Sequence, residues 1–589
     1  MKTIIQVSRE IFLSLFLVAV FSLLSSCSKE MVVEGDGKLE VADAKSFKSI
    51  VKVLVKGAPL KSSNGIDIGP NGNLYVASVI GGEINVLDKN SGKIIKTYGL
   101  ETGVKGPDDL VFGPDGSLYW TDLTYGEVGR LTPDGDFKKQ FVAPGVNPIT
   151  FSPDGRLFVA LDFLGDGLYE LDPELIEPPR PIILATPGTP FPLGFLNSFD
   201  FGIDGRLYGP LFAAGLVVSV DVGNPGDPVS TSPFTDGTVE VIAGGFFNPA
   251  AAKFGPDGLL YVLDQTGEFF KINHITGEKN LFTTLEAGLD NMVFDEDGSL
   301  YVTNSDQGWV VKVLPSGEAR KISPGGFITP SGLSVMAGPN NQDVIFEGDI
   351  FNLREFDGSS GRQTNIYKAL LIAEENPPSL TLPLNLSNDG ENLIVSSWFT
   401  GLVQVFSPAT NSVLENYTMG APIDAVRIQN DIAVSDVGLG GVVWASDNSV
   451  ILPMDGVNVF APGGLATDGE TLWMADWATG LVWEIGFDGA TPQPATVVAS
   501  GLSSPEGLAV YTDGSLLVVE TGISRLSRIN LSSGEVTTVA EGFEFSQPGI
   551  DGLPPTNYFD GVAVGPSGDI YVTGGGKNLI YRIRANKVE

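Results

Sequence analysis

The 589-residue chain carries 71 aspartates and glutamates against 35 lysines and arginines, a formal charge of −36. One cysteine and one histidine exclude a disulfide scaffold, a cysteine-rich zinc or iron–sulfur site and any multi-histidine metal centre. The acidity argues against nucleic acid as a partner, because phosphate contacts need a basic patch. The 74 glycines and 39 prolines punctuate short apolar runs throughout, a pattern of tight turns that disfavours a helical protein.

At the N-terminus Lys2 and Arg9 precede an apolar stretch over 11–24. It is too short and too close to the start for a membrane span, and reads as the core of a signal peptide. The stretch ends in Leu24-Ser25-Ser26-Cys27, which resembles the bacterial lipobox. The resemblance implies cleavage before Cys27, a diacylglyceryl group on Cys27 and attachment to a membrane. Ser28 in place of Asp implies the outer membrane of a Gram-negative cell envelope. Residues 1–26 are thus expected to be a lipoprotein signal peptide, and the polar residues 27–49 a tether.

From residue 50 onward one pattern recurs. It reads NGIDIGPNGNLYV from Asn64, DDLVFGPDGSLYW from Asp108, NPITFSPDGRLFV from Asn147 and NSFDFGIDGRLYG from Asn197. It returns from Ala250 and Asp290, weakens at Ser331, Leu382, Asp424 and Gly463, and is clear again at Glu506 and Asp560. About twelve copies lie 39 to 54 residues apart, the period of four-stranded propeller blades. Each offers an alternating strand, a turn with glycine where φ must be positive, and a second strand. Runs such as EINVLD and KIIKTYG supply the third and fourth. No such sheet buries both faces alone, so stacking around an axis supplies the core.

Residues 50–56 (IVKVLVK) form a strand without a blade of its own, and the last copy ends after NLIYRIR one strand short. Two rings of six satisfy the count; one larger closed ring is the alternative. In the two-ring arrangement, strand 50–56 completes the blade of Asp290 and EARKIS (318–323) completes the blade of Asp560. The expected architecture is all-β, with two tandem six-bladed β-propellers of four-stranded blades over 50–315 and 316–589.

These repeats resemble the senescence-marker/gluconolactonase family and the related NHL-type six-bladed propellers, over nearly all of 50–589. Tyr119-Trp120-Thr121-Asp122 also matches the YWTD signature of lipoprotein-receptor propellers. In a propeller the first residue of each inner strand lies near one mouth of the channel. In the first ring these are Asn64, Asp108, Asn147, Asn197, Ala250 and Asp290. All but Ala250 carry side-chain oxygens, which suits Ca²⁺ with its six to eight oxygen ligands. The resembled family holds its metal with a Glu, two Asn and an Asp at such strand starts. The resemblance therefore implies Ca²⁺ on Asn64, Asp108, Asn147, Asn197 and Asp290, with Asp108 or Asp290 also acting as general base on water. This ring departs from the family pattern in having no Glu.

The second ring's strand starts read Ser331, Leu382, Asp424, Gly463, Glu506 and Asp560. Asp424, Glu506 and Asp560 are its candidate site residues, and Leu382 and Gly463 interrupt the set. Carboxylates converging without a cation raise one another's pKa. His274, in a turn between outer strands, is expected to be an exposed turn residue. Trp398 and Trp477 hold equivalent places in SSWFTGLV and ADWATGLV, where they would stack on a sugar or another apolar ligand. Inserts at about 182–195, 224–247 and 541–558 would rim that face. Two functions follow: a Ca²⁺-dependent hydrolase of small lactones or esters, or a non-catalytic surface scaffold for an envelope protein or glycan.

Overall fold

The computed structural model describes residues 50–162, 165–182, 185–186, 189–190, 196–223, 239–370, 377–546 and 559–584. The signal peptide, Cys27 and the tether lie outside the described residues, as do the larger parts of the three inserts. Among the described residues no helix is long and apolar enough to cross a membrane.

The protein is all-β. Twelve four-stranded antiparallel sheets, counted among the described residues, divide equally between two compact units. Numbered in chain order, sheet 2 shows why the sequence folds this way. Its strands are Pro107–Phe112, Leu118–Asp122, Glu127–Leu131 and Phe137–Phe141. Between the first two, Gly113 N–H donates to Ser117 O at 2.9 Å, and Gly116 takes φ 79°, where a Cβ would be strained. The second strand is buried along its whole length, while FKKQF at the rim is largely exposed. Neither face is closed by sheet 2 alone: Trp120 packs on Tyr75, Ala77 and Val86 of sheet 1.

One unit spans Ala58–Ile328. It begins with sheet 1 (inner strand Ile66–Ile68) and ends with sheet 6 (Leu289–Phe294, Leu300–Asn304, Val310–Val313, Ala319–Ser323). Successive sheets pack side by side, and Tyr301, Val310 and Ile322 of sheet 6 meet Leu60, Ile66 and Val76 of sheet 1. This closes a six-sheet ring, the first ring.

The second ring runs from Thr329 onward and also takes in the strand Ile50–Lys56. It begins with sheet 7 (Leu333–Ala337, Asp343–Asp349, Asn352–Asp357, Gln363–Lys368). It ends with sheet 12 (Val562–Val564, Ile570–Gly574, Leu579–Arg584), whose fourth strand is Ile50–Lys56. Sheet 12 packs on sheet 7 to shut the ring.

The expected exchange of strands is therefore reversed. Ile50–Lys56 pairs antiparallel with Leu579–Arg584, completing the blade of Asp560 and not that of Asp290. Ala319–Ser323 stays with Val310–Val313. The reason is local: Leu314 N–H donates to Glu318 O at 2.8 Å and Gly317 takes φ 88°, making a tight hairpin. A hairpin to the adjacent strand closes a short loop and is favoured over a crossover.

Candidate functional site: the carboxyl mouth of the first ring

Two sets of carboxylates hold the rings together, and separating them isolates the candidate site. The first ends the second strand of many sheets and takes N–H groups from the loop that feeds the inner strand. Asp122, the Asp of the YWTD match, accepts Lys105 N–H at 3.0 Å and Gly106 N–H at 2.9 Å. Asp264, Asp436 and Asp476 do the same in their sheets. The second set lies on inner strands and accepts an N–H from the next sheet. Asp67 takes Phe112 at 2.9 Å, Asp109 takes Ile149 at 3.1 Å, and Asp200 takes Phe254 at 3.0 Å.

Asp109 anchors a wider network inside the first channel. The Asn291 side-chain amide donates to it at 3.0 Å, and Ser198 Oγ donates to Asn291 at 2.9 Å. Burial pushes Asp109 up to about 6 while Lys253 and the N–H donors pull it down. At the other end of the channel Asp67, Thr150, Asp200 and Lys253 line a cavity of ≈ 280 Å³. Sequence reasoning missed Asp109, Asn291 and Asp67 by taking only the residue that opens each repeat. The alternation of a strand was the available signal, since it turns the second and fourth residues toward the axis.

Asp108 and Asp290 belong to neither set. Neither side chain has a hydrogen-bond partner among the described residues. Asp108 is 9% exposed, and burial together with the charge of Asp109 pushes it up to about 7. Asp290 is held well above the usual carboxylate range by burial and by Asp108, Asp109, Asp162 and Asp306. Asp162, not foreseen from sequence, completes the mouth; burial and then Asp108 raise it, and Asn147 donates to it at 2.7 Å. The structure thus brings Asp108, Asp162, Asp290 and Asn147 together.

The remaining members of the expected calcium set are engaged elsewhere. Asn64 Oδ1 accepts Ser62 Oγ at 3.0 Å and Val79 N–H at 3.3 Å, while Asn197 Oδ1 accepts Ser198 N–H at 2.7 Å. Among the described residues, no group of three or more His, Cys, Asp or Glu is placed to hold a metal ion. With Asn64 and Asn197 already engaged, no step is derived through calcium.

The second ring's three candidate carboxyls are engaged in structure. Asp424 lies one place further along its strand than the repeat suggested, opposite Ser435, as Pro422 pairs with Asp436. It is therefore the counterpart of Asp109, and accepts Leu465 N–H at 2.8 Å; burial pushes it up to about 7. Glu506 accepts Asp560 N–H at 2.8 Å and Thr521 Oγ1 at 3.1 Å. Asp560 accepts Ser546 N–H at 2.7 Å and Gly575 N–H at 2.8 Å. Leu382 does not open an inner strand: that strand is Asn385–Asn388, and Asn385 lines the channel.

Trp398 and Trp477 are both half-buried. Trp398 packs edge-on against Phe399 with centroids 5.7 Å apart. His274 is not a bare turn residue, since its ring is half-buried and set edge-on to Tyr208 at 5.5 Å and Phe254 at 5.1 Å.

No family model and no curated protein matches the chain. Solved structures do. Virginiamycin B lyase from Staphylococcus aureus aligns at 15% identity over 51% of this chain and 96% of its own, with a TM-score of 0.35. A putative gluconolactonase aligns at 12% identity over 47% of this chain and 94% of its own, also at TM-score 0.35. The extracellular domain of a putative hybrid two-component system from Bacteroides thetaiotaomicron covers 91% of this chain and 83% of its own, at 13% identity and TM-score 0.33. The likeness is one of fold alone.

Proposed function

We propose that the chain is a cell-envelope lipoprotein, anchored through Cys27, whose first ring binds a small amine-bearing cation at the mouth formed by Asp108, Asp162 and Asp290. One observation carries this reading. Asp67, Asp109 and Asp200 on the inner strands of that ring are taken up by backbone N–H groups, and Asp108 and Asp290 are not. An ammonium group supplies both the donors and the opposite charge that the protein withholds. Thermal melting of the full chain against short alkyl diamines, amino sugars, Ca²⁺ and Mg²⁺ tests it. Amines should stabilise the wild type more at pH 8 than at pH 5, and leave Asp108→Asn/Asp290→Asn unmoved. Equal stabilisation of the double variant sinks the proposal. Labelled fatty acid should enter the wild type and not Cys27→Ala.

A second reading rests on Asp108 itself. A carboxyl poised near 7 transfers protons at neutral pH, the requirement for hydrolysing a lactone or ester. Turnover of a lactone and ester panel, lost in Asp108→Asn, supports it; no turnover leaves the binding module.

A further inference from the structure

In each sheet one residue of the second strand lies opposite the third residue of the repeat and faces the sheet before it. Val76, Val159, Val302, Val395, Val518 and Val572 occupy this place, and each packs into the apolar layer shared with the preceding sheet. In sheet 7 the residue is Glu347, opposite Leu333. By the same geometry it faces sheet 12, across the seam where the second ring shuts.

Glu347 is 0% exposed, and neither carboxyl oxygen has a hydrogen-bond partner. Arg354 lies directly opposite on the next strand but is committed elsewhere. Its Nε donates to Asp349 Oδ2 at 2.7 Å and its Nη1 to Gln363 Oε1 at 3.1 Å. Burial, and then the charge of Asp349, hold the Glu347 carboxyl well above its ordinary range, with Arg354 pulling the other way. On sheet 12, Tyr571 donates to Asp343 at 2.8 Å, Arg582 to Asp569 at 2.6 Å and Lys577 to Glu544 at 2.7 Å. The charged partners on that side are therefore used among themselves. A carboxylate in this place would be an uncompensated buried anion, whereas the neutral acid is tolerated.

We propose that Glu347 makes the seam between sheets 12 and 7 a proton-held closure: the ring is shut while Glu347 is a neutral acid, and its ionisation opens that seam ahead of the rest of the ring. The proton passes to solvent on opening. Other seam contacts are hydrogen bonds, such as Thr573 Oγ1 to Ser331 O at 2.7 Å and Tyr571 Oη to the Asp343 carboxylate at 2.8 Å. The closed state binds the proton more tightly than the open state. Closure is thus fully favoured below the ordinary glutamate pKa, and is lost about tenfold per pH unit as pH rises toward the closed-state value.

Hydrogen exchange of the full-length protein from pH 5 to 8.5, corrected for the intrinsic pH dependence of exchange, reads this directly. Peptides over 333–349 and 562–584 report the second seam, and peptides over 207–220 and 260–272, where two sheets of the first ring pack on each other, serve as an internal control. Opening of the second seam should rise about tenfold per pH unit relative to the control, and Glu347→Val and Glu347→Gln should remove the slope. Parallel behaviour of the seam and the control, or a slope that persists in Glu347→Gln, overturns the proposal. Should Glu347→Val not fold, the near-isosteric Gln variant and the wild-type slope still decide.

Discussion

The first ring is one continuous stretch that shuts by packing sheet 6 on sheet 1, while the second borrows Ile50–Lys56 from the far end of the chain to finish sheet 12. Their inner carboxyls differ in parallel. In the second ring Asp424, Glu506 and Asp560 all accept N–H groups, whereas in the first Asp108 and Asp290 accept none. One repeat has thus been put to two uses. Where a carboxylate bridges neighbouring sheets it is part of the closure, and where it stands unbridged at a mouth it is available to a ligand.

The largest effect that would break this comparison comes from deleting residues 50–56. The second ring should lose its cooperative melting transition, a loss of at least about 5 kcal/mol, the scale of a whole domain's stability. The first ring's transition should stay in place, as read by calorimetry. A matched loss in both rings would show that the strand serves more than sheet 12.

Asp109→Ala and Asp108→Asn then separate bridge from mouth within one ring. Removing Asp109 strands Ile149 N–H and the Asn291 amide, and should cost about 3 kcal/mol by denaturant unfolding. Asp108→Asn should do the opposite at high pH. Burial raises Asp108 from the ordinary aspartate value of 3.8 to about 7 in the folded protein. Its contribution is therefore complete below about 4 and is lost as pH rises through about 7. At pH 8 the variant should gain about 1–3 kcal/mol over wild type, and at pH 4 nothing. A variant less stable than wild type at both pH values would make Asp108 a structural residue.

The smallest effect tests the second ring. Thr521→Val leaves Glu506 one hydrogen bond short and should cost about 1 kcal/mol there, without altering amine binding in the first ring. Weaker amine binding in this variant would move the ligand site.

Much of this was legible in the sequence. Periodic Gly turns and alternating strands give the four-stranded sheets, because both follow from local chemistry. The partner of Ile50–Lys56 was not legible, since its sequence fits any outer edge and a tight turn at Gly317 had already claimed the competing strand. Asp108 and Asp290 were singled out as the residues that open their repeats. Asp162 was not, because it follows a second strand and only the ring brings it to the mouth. Asp424 was misplaced by one position, because the connection from Arg427 to Ile432 is one residue shorter than that from Phe112 to Leu118. Glu347 lay in a weak copy of the repeat, so its departure from valine shows only once the sheets are aligned in space.

On the proposed function, the first ring's mouth binds a cation with carboxyls that are partly protonated until the ligand arrives. Calorimetry of diamine binding at pH 7, repeated in buffers of different ionisation enthalpy, counts the protons displaced. Saturable binding with release of about one proton is expected in the wild type, lost in Asp108→Asn and retained in Asp424→Asn. Binding without proton release, or release that survives Asp108→Asn, would contradict it.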